Sequence, residues 1–123
     1  MDLSIIIVTW NSSEHVVRCL ESIPHAVKGI QAETIVVDNA SDDGTAETVK
    51  YRFPWVRLIR LSANVGFARA CNVGIAHAHG RVVGFLNPDT EVLAGAFTHL
   101  VNFLDQHPRA AVAGGTLLNP DHT

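Results

Sequence analysis

Apolar and polar positions follow two alternating rhythms along this chain. Five short runs rich in apolar residues recur: "LSIIIVT" (3–9), "ETIVVD" (33–38), "VRLIRL" (56–61), "RVVGFL" (81–86) and "AAVAGGTLL" (110–118). The first, second and fourth are nearly continuous, the pattern of strands buried on both faces. Between the runs, apolar residues fall at helical spacing. Val16, Val17, Leu20 and Ile23 share one face, as do Ala46, Val49 and Phe53. Phe67, Ala70, Cys71 and Gly74 form a third stripe, and Phe97, Leu100, Val101 and Leu104 a fourth. Asn11 with Glu14 three residues on predicts a capping box, and Asp43-Gly44 predicts a turn and cap before the second helix. Pro24, Pro54 and Pro108 are expected just beyond the ends of three helices. The order β-α-β-α-β-α-β-α-β predicts an α/β fold, a mostly parallel sheet with helices on both faces.

In such sheets ligands bind beyond the carboxyl ends of the strands, where strand order reverses. The unusual residues gather there. Strand 1 runs out into Thr9-Trp10-Asn11, strand 2 into Asp38-Asn39-Ala40-Ser41, and strand 3 is followed by Asn64-Val65-Gly66. Strand 4 runs out into Asn87-Pro88-Asp89, a tripeptide that returns as Asn119-Pro120-Asp121. The first copy is expected on the functional rim; the second reads as a turn.

Composition narrows the classes. At 123 residues the chain is one domain, and 47% apolar with 17% charged residues fits a soluble globular protein. A net charge of −3 without a Lys/Arg cluster argues against nucleic acid as a partner. Cys19 and Cys71 lie far apart and read as buried small hydrophobes in a reducing compartment. No run approaches the roughly 18–20 apolar residues of a membrane span, and no signal peptide is visible. A cytoplasmic location is the expectation, with peripheral membrane association still compatible.

The chemistry of the rim points to a ligand class. Neither G-x-G-x-x-G nor G-x-x-x-x-G-K-[ST] occurs, which disfavours dinucleotide cofactors and P-loop chemistry. What remains is a carboxylate at strand 2, an aromatic and a hydroxyl at strand 1, and a carboxylate at strand 4. A carboxylate accepts an N–H from a base edge. One carboxylate beside a phosphate crevice suits Mg²⁺ or Mn²⁺, which bind through one or two carboxylates plus substrate phosphates. His77 and His79, two apart, do not share a helix face and read as a fraying helix end.

"SIIIVTWN", "IVVDNASDDGT", "NVGFARACNVGI" and "FLNPDTEV", in this order across residues 4 to 92, resemble the N-terminal half of a family 2 glycosyltransferase of GT-A fold. The Asp-Asn-Ala-Ser and Asn-Pro-Asp variants resemble its rhamnosyltransferase-like branch. The resemblance implies inverting transfer of a sugar from a UDP- or dTDP-sugar to a hydroxyl acceptor, in glycan or polysaccharide synthesis, with a divalent metal. It implies that Thr9 and Trp10 line the base pocket, that Asp38 binds the uracil or thymine ring, and that Arg69 faces the base or diphosphate. Asn11 and Asn39 join them as nucleotide-binding residues. Asn87 and Asp89 occupy the family's D-x-D positions, Asp89 as metal ligand and Asn87 near the ribose. An amide at the first of these positions departs from the family pattern and predicts weaker metal binding.

The family's acceptor-binding half, with its acidic base, comes later than these blocks, and no residue here stands out as that base. Residues 1–123 are therefore expected to be the nucleotide-sugar-binding part of a catalytic domain, ending after the fifth strand. On this reading they bind donor, turn over little alone, and self-associate through uncovered apolar surface. Two other readings compete: a sugar-phosphate nucleotidyltransferase, which wants a Gly-rich basic loop where "TWNSSEH" stands, and a non-catalytic nucleotide-binding module.

Overall fold

The computed structural model describes residues 1–110. Four strands, β1 (Leu3–Thr9), β2 (Ala32–Asp38), β3 (Arg57–Arg60) and β4 (Val82–Phe85), alternate with four helices. The helices are α1 (Val16–Ala26), α2 (Thr45–Arg52), α3 (Phe67–His77) and α4 (Ala96–Gln106). All but the first residue of the expected run at 110–118, and the second Asn-Pro-Asp at 119–121, lie outside the described residues. All strand pairs are parallel, in the order β3-β2-β1-β4.

This order explains why helices cover both faces. From β1 the chain steps outward through β2 to β3, then returns past β1 to β4. Parallel crossovers are right-handed, so reversing direction moves the connecting helix to the opposite face. On one face α1, α2 and α4 pack with Leu3, Ile5, Ile7 and Val36 through Leu20, Ile23, Val49, Phe97 and Val101. On the other, α3 brings Ala70 against Ile35 and Val37. The approach of α3 to β1 is close: a Cβ on Gly74 would stand 2.6 Å from Ile6 Cγ2. Each fully buried Leu, Ile or Val contributes roughly 1.5–3 kcal/mol by leaving water, so the near-continuous apolar runs are what hold β1 and β2 at the centre.

Several local expectations are corrected. Pro24 lies inside α1, not beyond it. An internal proline forfeits one backbone bond, but Ile23 and Ala26 on either side are buried and hold the last turn in place. The Asn11–Glu14 capping box does not form. The N-cap of α1 is His15, without a side-chain cap, and Ser12 O instead accepts the His15 and Val16 N–H groups at 3.0 and 2.9 Å. Phe67 was expected in the α3 core stripe but is 61% exposed, because the first turn of α3 projects past the sheet. Pro54 and Pro108 do follow helix ends, as read from the sequence.

Candidate functional site

Register builds the site. β1 and β2 run in step from Leu3↔Ala32 to Thr9↔Asp38, so their carboxyl ends finish side by side. Thr9 Oγ1 donates to Asp38 Oδ1 at 2.8 Å, and Asn39 N–H donates to Thr9 O at 2.8 Å. Asp38 is only 1% exposed. Its Oδ1 also accepts the Ser41 hydroxyl at 2.6 Å, and its Oδ2 accepts the Ser41 N–H at 3.0 Å. A carboxylate offers about four acceptor positions; three are used, leaving one on Oδ2.

Bonds between the two rim turns extend outward from there. Asn11, at φ 49°, donates its N–H to Ser41 Oγ at 2.8 Å and accepts the Asp42 N–H on Oδ1 at 3.0 Å. Ser12 N–H donates to Thr45 Oγ1 at 2.9 Å. Asp43 accepts the Ser13 and Thr45 N–H groups at 3.2 and 3.1 Å, together with the Thr45 hydroxyl. Desolvation works to raise the Asp43 pKa, but the bonds from Thr45 and Ser13 outweigh it and hold the carboxyl down to about 2. The turn reading of Asp43 agrees with these contacts, but the cap does not form as expected: the N-cap of α2 is Gly44, without a side-chain cap.

Asn39 is a brace. It is buried, accepts the Val65 N–H on Oδ1 at 2.9 Å, and donates Nδ2–H to Gly66 O at 3.2 Å. Its side chain thus replaces a missing strand ladder and ties the β3–α3 loop to the end of β2. Gly66 adopts φ 86° and ψ 167°, a conformation only glycine reaches without strain, and so turns the chain into α3.

Between these turns lies an open cleft of about 440 Å³, lined by Val8, Trp10, Ser12, Asn39, Asn64, Gly66, Phe67, Asn87 and Pro88. It sits at the carboxyl ends of the strands, at the switch point where β4 leaves the β1-β2-β3 progression. Of the residues singled out from sequence, Trp10, Asn39 and Asn87 line it. Thr9 and Asp38 stand behind its wall, buried and bonded to each other. Asn11, Arg69 and Asp89 are exposed and outside the lining. Trp10 lines the cleft and is 56% exposed. Ser12 and Phe67 were not singled out for the site. Phe67 carried a signal, because a helix starting right after a Gly at a strand-3 rim points its first side chain at the crevice.

The β4 exit is a tight turn: Asn87 O accepts both the N–H and the hydroxyl of Thr90, at 3.2 and 2.6 Å. Asp89 follows Pro88, exposed, with no hydrogen bond or ion pair to the described residues. Among the described residues no three His, Cys, Asp or Glu side chains group to hold a metal. No all-protein cage exists among them; the single exposed carboxylate of Asp89 suits a divalent cation only where a bound phosphate supplies the further oxygens. His77 and His79 are accounted for otherwise: His77 Nδ1 lies 2.9 Å from Val73 O, and His79 Nδ1 lies 3.2 Å from Glu33 Oε1.

A parallel sheet of this order, with a cleft of mixed polar and apolar lining at its switch point, is shared with solved nucleotide-sugar transferases of the GT-A class. The chain belongs to glycosyl transferase family 2, whose family model matches residues 4–123. It is 30% identical over 131 residues to the N-acetylglucosaminyl-diphospho-decaprenol L-rhamnosyltransferase of Mycobacterium tuberculosis, covering 97% of this chain and 42% of that one. It is 34% identical over 105 residues to the succinoglycan biosynthesis protein ExoO of Rhizobium meliloti, covering 85% of this chain and 30% of that one. Among solved structures, S. aureus TarS in complex with UDP-GlcNAc superposes with a TM-score of 0.76 at 29% identity, covering 88% of this chain and 32% of that one. The mannosyltransferase PcManGT from Pyrobaculum calidifontis, solved with GDP-Man and Mn²⁺, shares the fold at a TM-score of 0.73 and 24% identity, covering 97% of this chain and 36% of that one. The chain thus spans less than half the length of each of these relatives. No helix among the described residues is long and apolar enough to cross a membrane.

Proposed function

We propose that residues 1–123 form the donor-binding part of an inverting glycosyltransferase, one that moves a sugar from a nucleotide-diphosphate sugar to a hydroxyl acceptor during cytoplasmic glycan synthesis. The observation that carries this reading is the cleft at the switch point, with Trp10, Asn39 and Asn87 in its lining and the exposed Asp89 one residue beyond the lining Pro88. On this reading the uracil or thymine ring packs against Trp10 and directs its imide N–H to the remaining acceptor position on Asp38, which it must reach past the cleft wall. Thr9 fixes the Asp38 carboxylate, and Asn11 and Asn39 hold the turns around it. Asn87 faces the ribose. The first turn of α3, with no acidic residue to oppose an anion, turns its free N–H groups and the Arg69 guanidinium toward the diphosphate. Mg²⁺ or Mn²⁺ held between Asp89 and the diphosphate would offset charge growing on the leaving group. The rhamnosyltransferase likeness makes dTDP- and UDP-linked sugars, rhamnose among them, the donors to test.

A thermal-shift panel of UDP, dTDP, GDP and ADP, with and without Mn²⁺, tests the reading. A pyrimidine diphosphate at 100 times its Kd should add about 2.7 kcal/mol of stability. A purine response larger than both pyrimidine responses overturns the base assignment. An unchanged pyrimidine response in EDTA overturns the metal. Self-association belongs to the same proposal: Phe85, 52% exposed, lies on the α3 side of the sheet in register with Ile6, and a monodisperse monomer in light scattering would refute it.

A further inference from the structure

The turn that carries Asp89 is gripped from below. Cys19 and Ser22 stand one turn apart on α1, and neither lines the cleft. The Cys19 thiol, fully buried, is 3.6 Å from Asn87 O and donates to it. Three residues on, the Ser22 hydroxyl donates to Cys19 O at 2.6 Å and accepts the Val92 N–H at 2.9 Å. Both ends of the 87–92 segment are therefore bonded to the same helical turn, while Asp89 between them has no hydrogen bond or ion pair among the described residues. One turn later His25 O accepts the Gly95 N–H at 2.9 Å, which extends the attachment toward α4.

We propose that Cys19 and Ser22 are positioning residues that clamp the Asn87–Val92 segment and so set where the Asp89 carboxylate stands against the cleft. The two bonds do different work. The hydroxyl of Ser22 is bonded on both sides, as donor and acceptor, and fixes the far end of the segment in direction as well as distance. The thiol fixes the near end, at a carbonyl that already accepts two bonds from Thr90. Burial pushes the Cys19 thiol up to about 12, so it remains a donor throughout the physiological range. Helix α1 is itself seated on the core by Val16, Leu20, Ile23 and Ala26, so the clamp transmits the position of the sheet to the carboxylate. The inference rests on the reading of Asp89 as the metal ligand.

Two measurements on the full chain separate the clamp from that reading. Amide hydrogen exchange reads the clamp directly: Ser22→Ala should speed exchange at Val92 about fivefold, the loss of one ordinary hydrogen bond, with β2 amides unchanged. Ser22→Thr, which keeps the hydroxyl, should restore protection. Calorimetric titration with UDP, with and without Mn²⁺, reads its consequence. Ser22→Ala and Cys19→Ala should each lower the manganese-dependent gain in affinity about fivefold, while metal-free UDP affinity stays within about twofold. Ser22→Thr and Cys19→Ser should recover most of the gain. Unchanged Val92 exchange in Ser22→Ala overturns the clamp. A loosened segment with the full manganese gain overturns its role in placing Asp89. A wild-type chain with no manganese gain overturns the metal reading, and the role for Asp89 with it, leaving the exchange result to decide the clamp alone.

Discussion

Asp38→Asn is nearly isosteric, yet it should unsettle the rim before any ligand arrives. The carboxylate receives three hydrogen bonds and donates none: Thr9 and Ser41 hydroxyls on Oδ1, and the Ser41 N–H on Oδ2. If the new amide keeps its oxygen toward the hydroxyls, its NH₂ faces the Ser41 N–H, donor against donor. If it flips, the NH₂ can serve both hydroxyl oxygens, but the buried Thr9 hydroxyl proton then loses its acceptor. Either arrangement orphans one donor in a site where Thr9 is fully buried and Asp38 nearly so. Such a group costs about 1–3 kcal/mol. For a domain of this size that corresponds to a fall in Tm of roughly 3–6 °C per kcal/mol. Urea unfolding of the wild type, Asp38→Asn, Thr9→Val and the double variant checks the arithmetic. The two changes share one bond, so they should couple by about 0.5–3 kcal/mol. Unchanged stability in Asp38→Asn, together with additivity in the cycle, would refute the claim that this carboxylate is held internally. It would leave a group devoted to the ligand instead.

Other outcomes follow from the same geometry. Asp89→Ala should remove the manganese-dependent part of UDP binding and leave thermal stability unchanged, since the side chain has no described partner; a loss of metal-free affinity in calorimetry would count against it. Gly74→Ala should destabilise by about 1–3 kcal/mol despite a gain in helix propensity of about 1 kcal/mol, because Ile6 Cγ2, branched and stiff in a strand, cannot yield the space. Ile6→Ala should relieve the clash, and denaturant curves that show no such rescue would exclude it as the cause. Asp43 titrates low in the folded state, so its contribution is complete above about pH 4 and is lost as pH falls through about 2. An NMR titration that finds its carboxyl near the ordinary value would remove the Ser13–Thr45 turn from the account.

What the sequence made legible depended on how many faces a residue must satisfy. β1 and β2 are buried on both sides, and their near-continuous apolar runs could be read almost to the residue. β3 and β4 lie at the edges of the described sheet and are shorter than their apolar runs, because their ends lose partners before they lose hydrophobicity. Pro24 was misplaced since the usual rule weighs the missing N–H and not the burial of Ile23 and Ala26 around it. The rim motifs were visible as unusual residues at strand ends, but not their division of labour. Asp38 and Asn39 read alike as ligand groups, yet one bonds internally in three directions and the other braces a distant loop. Ser41 had a readable signal, an Asp three residues earlier, the spacing at which a capping carboxylate accepts a backbone N–H. Cys19 had none, because its partner is a backbone carbonyl 68 residues away.

The strand order also sets a timetable. The central strand is the first to emerge, and its two neighbours arrive far apart in the chain: Leu3 pairs with Ala32 on one side and with Val82 on the other. Closing the longer loop costs about 0.9 kcal/mol more chain entropy than closing the shorter one. The β1–β2 ribbon with α1 between them should therefore form first, its second edge open to wrong partners until β4 docks. Pulse-labelled amide exchange should find Ile35–Val37 protected before Gly84 and Phe85, and the reverse order would contradict it. A chain made from its centre outward is exposed to aggregation for as long as its far edge remains unsynthesised.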